Sequence, residues 1–234
     1  YLTRGALRTY PGKVRWAALR LWHNWKPLLG VNRDIFIRSL LLQSVFFAIT
    51  LQGARLGDAT VAANALLLNG LLLAAHALDG LAHAVEALCG HAIGARDREA
   101  LRRSMVVACG WSLLASVAFA LLFLFGGHLF VQMQTDIPSV RETAFQYLPY
   151  LALLPLIAVW SYLLDGLFIG ATRAREMRNA MVISVVIAFP VAWALHGFGN
   201  HGLWISFLLF MVLRSATLGV YAWRMQRRDQ WFTP

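Results

Sequence analysis

Residues 60–92 read TVAANALLLNGLLLAAHALDGLAHAVEALCGHA, and this run decides the fold class. A bilayer is crossed by a helix of about 20 mostly apolar residues. At about 1.5 Å per residue this one is long enough to project beyond the membrane. Its polar residues are ordered. At 100° per residue Asn69, His76, Asp79, His83 and Glu86 fall within an arc of roughly 100°, while Leu67, Leu78 and Val85 lie opposite. An ionisable group at the centre of a spanning helix costs about 2.5–3.5 kcal/mol on insertion scales. Such a stripe must therefore face protein or a water-filled cavity, not acyl chains.

Outward from this run the chain repeats the theme. Further apolar stretches lie at about 36–54, 104–131, 147–171, 180–198 and 202–223, giving six predicted spans. Hydrophobic residues make up 59% of the 234 and charged residues 14%. That composition excludes a soluble enzyme and a disordered chain. The same composition excludes a disulfide scaffold, and Cys89 and Cys109, both inside apolar segments, say nothing of the redox compartment. The net charge of +10 does not point to nucleic acid, because the Lys and Arg residues sit in clusters between apolar runs.

The clusters carry topology instead. Eight basic residues run from Arg4 to Arg38. Arg96, Arg98, Arg102 and Arg103 follow the second span, Arg173, Arg175 and Arg178 the fourth, and Arg224, Arg227 and Arg228 the sixth. Only Arg55 and Arg141 fall on the other side. The positive-inside rule then places both termini in the cytoplasm. Residues 1–33 read as a basic amphipathic segment on the anionic leaflet, from Ala18, Leu21, Trp22, Trp25, Leu28 and Leu29 at helical spacing. Residues 34–224 form the bundle and 225–234 a basic cytoplasmic tail. The chain starts at Tyr1 with no signal peptide and reads as part of a longer protein.

The fourth span adds Tyr162 and Asp165, preceded by Pro149 and Pro155, and the sixth adds Arg214. Asp165, Glu86 and Arg214 have comparable depths, so Arg214 is expected to pair with one of the two acids. Charges of this kind also hold helices together, the role expected of Arg214. For Asp165 and the stripe, transport is the favoured reading. His76 and His83 stand about two turns apart, too far for one helix alone to coordinate a metal. The flanks of Asp79 and Asp165 do not fit an intramembrane aspartyl protease, no phosphate-binding glycine loop occurs, and an enzyme is not expected.

Three blocks resemble one family. Ala77-Leu78-Asp79-Gly80-Leu81-Ala82-His83-Ala84-Val85-Glu86-Ala87, continuing to Gly94-Ala95-Arg96-Asp97, resembles the eighth helix of multidrug and toxic compound extrusion (MATE) transporters, nearest the DinF branch. Tyr162-Leu163-Leu164-Asp165-Gly166-Leu167-Phe168-Ile169-Gly170-Ala171-Thr172-Arg173, with Glu176-Met177-Arg178-Asn179, is similar to the tenth helix and its loop. Gly199-Asn200-His201, Leu203-Trp204 and Leu213-Arg214 resemble the final hairpin. The likeness covers residues 33–232 and implies the C-terminal six-helix lobe of a twelve-helix transporter, with residues 1–33 as the linker between lobes.

That resemblance implies a multi-pass protein of the inner membrane, partnered by an N-terminal lobe. It implies export of cationic or amphipathic small molecules against entry of protons or sodium, with no cofactor. Sodium-coupled relatives use carboxylates on the seventh and tenth helices. Asp165 matches the latter, but the first span has no acid between Phe36 and Ala54. The best-known coupling aspartate of the proton-driven branch lies in the other lobe. Two other readings stand beside this one. The first is a flippase-like lipid-precursor transporter, which calls for a basic cavity, whereas Arg214 is the one basic residue expected within a span. The second is a non-transporting scaffold half.

Overall fold

The computed structural model describes residues 22–232. Among them the fold is all helical, with six helices long and apolar enough to cross a membrane. They are α1 (Trp22–Arg55), α2 (Asp58–Gly94), α3 (Arg98–Gln134), α4 (Pro138–Gly170), α5 (Ala174–Ala194) and α6 (Gly199–Arg227). A single 3₁₀ turn, His196–Phe198, joins the last two. The short connections make successive helices antiparallel. The arginine clusters of the turns at 95–97 and 171–173 and of the chain beyond α6 therefore share one end of the bundle, called the basic end below.

Local chemistry sets the boundaries. Pro138 opens α4, where the lack of an N–H costs nothing. Asp97 caps α3 by accepting a hydrogen bond from the Ala100 amide at 2.9 Å. At the basic end three helices terminate with the same paired bonds. Asp97 N–H reaches Ala92 O and Arg96 N–H reaches Ile93 O; Arg173 and Thr172 repeat this after α4, and Gln230 and Asp229 after α6. The pivot residues Arg96, Thr172 and Asp229 take φ of 55°, 56° and 53° without being glycine.

Two features concern the ends of the described residues. α1 begins at Trp22, so residues 22–33 of the predicted amphipathic segment are continuous with the helix of the first span. The rest of that predicted segment lies outside the described residues. Beyond α6 the tail folds back. Trp231 is buried against Phe168, with ring centroids 5.6 Å apart. Arg98 pairs with Asp229, and Arg173 donates to the Gln230 carbonyl at 2.8 Å. The buried indole makes this part of the tail a packed cap on the basic end.

Packing divides the bundle in two. α4 is central, against α2 and α3 on one side and α6 on the other, while α1 rests mainly on α5. α2 and α4 run parallel and touch backbone to backbone. A Cβ on Gly166 would stand 2.3 Å from the Ala82 carbonyl oxygen, and one on Gly170 2.5 Å from that of Glu86. This is small-residue packing of membrane helices, with Gly166-x-x-x-Gly170 as the seam. Elsewhere large apolar groups stay uncovered, among them Phe125 and Met133 on α3, each 79% exposed. Hydrocarbon, not water, suits such a surface.

Away from the basic end, Asn64 of α2 and Asn200 of α6 exchange side-chain hydrogen bonds at 2.7 and 3.0 Å, and Trp204 Nε1 donates to Asn64 Oδ1 at 2.9 Å. All three are buried, so removing one partner strands the others. Asn64→Ala is expected to lower stability in detergent by about 1–3 kcal/mol, read from thermal unfolding of the purified chain.

Candidate functional site

α1, α2, α4 and α6 enclose a cavity of about 360 Å³. α2 supplies His76, Asp79, His83 and Glu86 to its wall, α4 supplies Tyr162 and Asp165, α6 supplies Arg214, and α1 supplies Arg38 and Gln43. Seven of the eight side chains singled out in the sequence thus meet in one place. Asn69 does not. It lies about 10 Å further along α2 than His76, is exposed, and donates to Gln134 of α3 at 3.5 Å. The stripe is continuous in angle but not in depth, and only its lower part reaches the cavity.

The centre of the site is an ion trio. Arg214 and Arg38 both donate to the same oxygen of Asp165, Oδ2. Arg214 therefore selects Asp165, not Glu86, from the two acids expected as its partner. Its side chain is 3% exposed and that of Asp165 8%, against 15% for Arg38. The Tyr162 ring covers the Arg214 guanidinium, with Cζ 5.5 Å from the centroid. Asp165 Oδ1 and Arg214 Nε are buried without hydrogen-bond partners among the described residues.

By sequence Arg38 is the last of the basic cluster before or at the start of the first span. Because α1 starts at Trp22, Arg38 sits about 24 Å along its helix, deep enough to reach Asp165. The cavity therefore holds two guanidiniums, where the sequence reading expected Arg214 alone within the spans. Asp34, one turn earlier, is buried and accepts from Arg178 of α5 at 2.7 Å. It ties α1 to α5 and does not line the cavity. Only the run of polar residues in an otherwise apolar helix could have signalled either role.

The acids of α2 are placed differently. Asp79 has no hydrogen-bond or ion-pair partner among the described residues, although the charges of Arg214, Asp165, His83 and His76 all act on it. Glu86 is met by His83 Nδ1 at 3.3 Å, one turn away on the same helix. His76 Nδ1 donates to the Leu72 carbonyl at 2.6 Å. Leu42, Phe46, Leu71 and Ile169 line the remainder. The arrangement combines a mostly apolar wall with a few converging charges, the pattern of a small-molecule site. Two carboxylates in it carry no guanidinium, and one carries two.

Comparison with known proteins agrees with the fold. The family model MatE matches residues 35–194. The chain is 43% identical over 209 residues to DNA damage-inducible protein F of Escherichia coli K12, an alignment covering 89% of this chain and 46% of that protein. It superimposes with a TM-score of 0.77 on the crystal structure of MATE in complex with MaL6, at 22% identity, covering 89% of this chain and 48% of the other. It also superimposes, with a TM-score of 0.75 at 22% identity, on a transporter of the MOP superfamily from Pyrococcus furiosus; 84% of this chain and 44% of that one are covered. That structure is described as having a binding pocket of reverse polarity that suggests a different function. The chain spans about half the length of the curated relatives it matches.

Proposed function

We propose, from the premise that this chain belongs to the MatE family of multidrug and toxic compound extrusion transporters, that it is one six-helix half of a membrane antiporter. In this reading the half exports cationic or amphipathic compounds in exchange for protons. The second half is an N-terminal lobe of the same transporter, both termini of this chain face the cytoplasm, and the membrane is the inner one.

The observation that carries this reading is the pair Asp79 and Glu86, carboxylates without guanidinium partners on the wall of the cavity that also holds the ion trio. A carboxylate in such a place holds a proton or a substrate cation well, but not both together, so competition for it couples the two flows. Asp165 plays a different part. With Arg38 and Arg214 on one of its oxygens it is an electrostatic anchor, and the guanidinium of α1 already brings the charge that a sodium ion would supply. That favours protons over sodium as the coupling ion in this half. The histidines His76 and His83 lie beside the acids as proton carriers, and Tyr162 positions Arg214.

The test is accumulation of a fluorescent lipophilic cation in inside-out vesicles containing this chain together with an N-terminal lobe, under imposed proton or sodium gradients. Asp79→Asn and Glu86→Gln are each expected to lower proton-driven uptake about tenfold, equivalent to about 1.4 kcal/mol of lost interaction. Full uptake in both variants overturns coupling at this face, and absence of uptake in the parent protein supports the scaffold reading. A second reading has its own observation. Two arginines reach the cavity, which suits an anionic headgroup such as that of a lipid precursor. It predicts competition by an anionic amphiphile that is lost in Arg38→Gln.

A further inference from the structure

A second cavity, of about 740 Å³, lies at the basic end between the start of α3, the end of α6 and the folded-back tail. It shares no lining residue with the ion-trio cavity. Arg98, Arg102 and Arg227 stand in its wall, together with the acids Glu99 and Asp229. Asp229 is engaged by Arg98. Among the described residues Arg102 and Arg227 have no carboxylate partner. The Arg227 guanidinium instead lies 4.0 Å from the Trp223 ring centroid, a stacking that leaves the N–H edge open to oxygen acceptors. Met105, Val106 and Leu164 form an apolar side to the same space.

Val106 also belongs to a shallower notch of about 260 Å³ on the outer face of α3, formed with Val107, Gly110, Trp111 and Leu114. The two spaces therefore meet at one residue. Val106, Trp111 and Leu114 are 64%, 61% and 59% exposed, an apolar track that leads from the arginines toward the middle of the helix. At Gly110 a Cβ would meet nothing within 4 Å, so the notch is open space along that track.

We propose that this groove binds one anionic glycerophospholipid, its phosphodiester held by Arg102 and Arg227 and an acyl chain laid over Val106 into the notch at Gly110. Each part answers one part of such a molecule. Cations without carboxylate partners at a helix end meet the phosphate, Trp223 sits where interfacial tryptophans are found, and the apolar track accepts the chain. A soluble phosphate compound would use the arginines alone. The lipid requires both features, and their continuity favours it. Glu99 limits the groove to a headgroup that keeps its charge toward α6.

The experiment uses the purified 234-residue chain in a zwitterionic detergent, with native mass spectrometry and thermal unfolding as readouts. The probes are dioleoyl phosphatidylglycerol, dioleoyl phosphatidylcholine and inorganic phosphate. Phosphatidylglycerol is expected to form a one-to-one adduct and to raise the unfolding temperature, and the other two are not. Arg102→Ala with Arg227→Ala is expected to weaken the adduct about 25-fold, near fivefold for each arginine. Arg103→Ala with Arg224→Ala removes the same charge from residues outside the cavity wall and is expected to leave it unchanged. Gly110→Trp, which fills the notch and keeps every arginine, is expected to weaken it as well. Equal binding of phosphatidylcholine, equal stabilisation by phosphate, or an equal loss in the Arg103 and Arg224 pair would overturn the proposal.

Discussion

Asp165→Ala is expected to destabilise the bundle by about 3–5 kcal/mol, the cost of leaving buried charges uncompensated. Both guanidiniums depend on that carboxylate, and Arg214 is 2% exposed with Tyr162 over its face. The measure is the unfolding midpoint of the purified chain in detergent, compared with Arg38→Met and Arg214→Met. Arg38→Met is expected to be the mildest of the three, because Arg38 is the most exposed member and Asp165 keeps Arg214. Asp165→Leu combined with Arg214→Met and Arg38→Met removes all three charges of the trio and should recover most of the loss, as replacement of buried ion groups by apolar side chains often does. An Asp165→Ala protein as stable as its parent would mean that the trio does not exist.

Gly166→Ala is the second large effect. The new methyl would stand 2.3 Å from the Ala82 carbonyl oxygen, and the neighbouring contacts at 3.0 and 3.2 Å are also backbone atoms of Ala82. No side chain can turn aside to make room, so α2 and α4 must separate. Overpacking of this kind costs about 1–3 kcal/mol, occasionally more, and Gly166→Ala should lie at the top of that range. Gly80→Ala, on the same helix as Ala82 but with nothing within 4 Å of the added carbon, is the control. It should be neutral or stabilising by up to about 1 kcal/mol through helix propensity. Thermal unfolding distinguishes the two, and equal behaviour would refute the seam.

Much of this architecture was open to reading from composition and spacing. Six apolar stretches separated by turn residues and arginine clusters define six helices, because a bilayer permits little else. The errors lie where a helix leaves the membrane. α4 starts nine residues before its predicted span because Ser139, Arg141, Glu142 and Thr143 dilute the apolar signal while remaining helical. The turns after α2 and α4 carry no glycine at the left-handed position, so Arg96 and Thr172 gave no warning of it.

The site was legible on α2, where acids and histidines interrupt an apolar helix on one face. It was not legible on α1. Arg38 looked like one more member of a basic flank, and its role follows only from where the helix begins. The parallel contact of Gly166 and Gly170 with α2 was equally hidden. A glycine pair four residues apart announces a close neighbour but does not say which one, and Asn64 announced nothing of its link to Asn200 and Trp204.

The backbone contact between α2 and α4 fixes more than stability. It welds the strip bearing Asp79 and Glu86 to the strip bearing Asp165, so the spacing among the three acids is a constant of the fold. α1 is fastened less firmly, resting chiefly on α5 and reaching the acids through one long, flexible side chain. When such a molecule changes shape, the anionic half of its electrostatic landscape travels as a block. The variable is then the distance from that block to a single tethered cation.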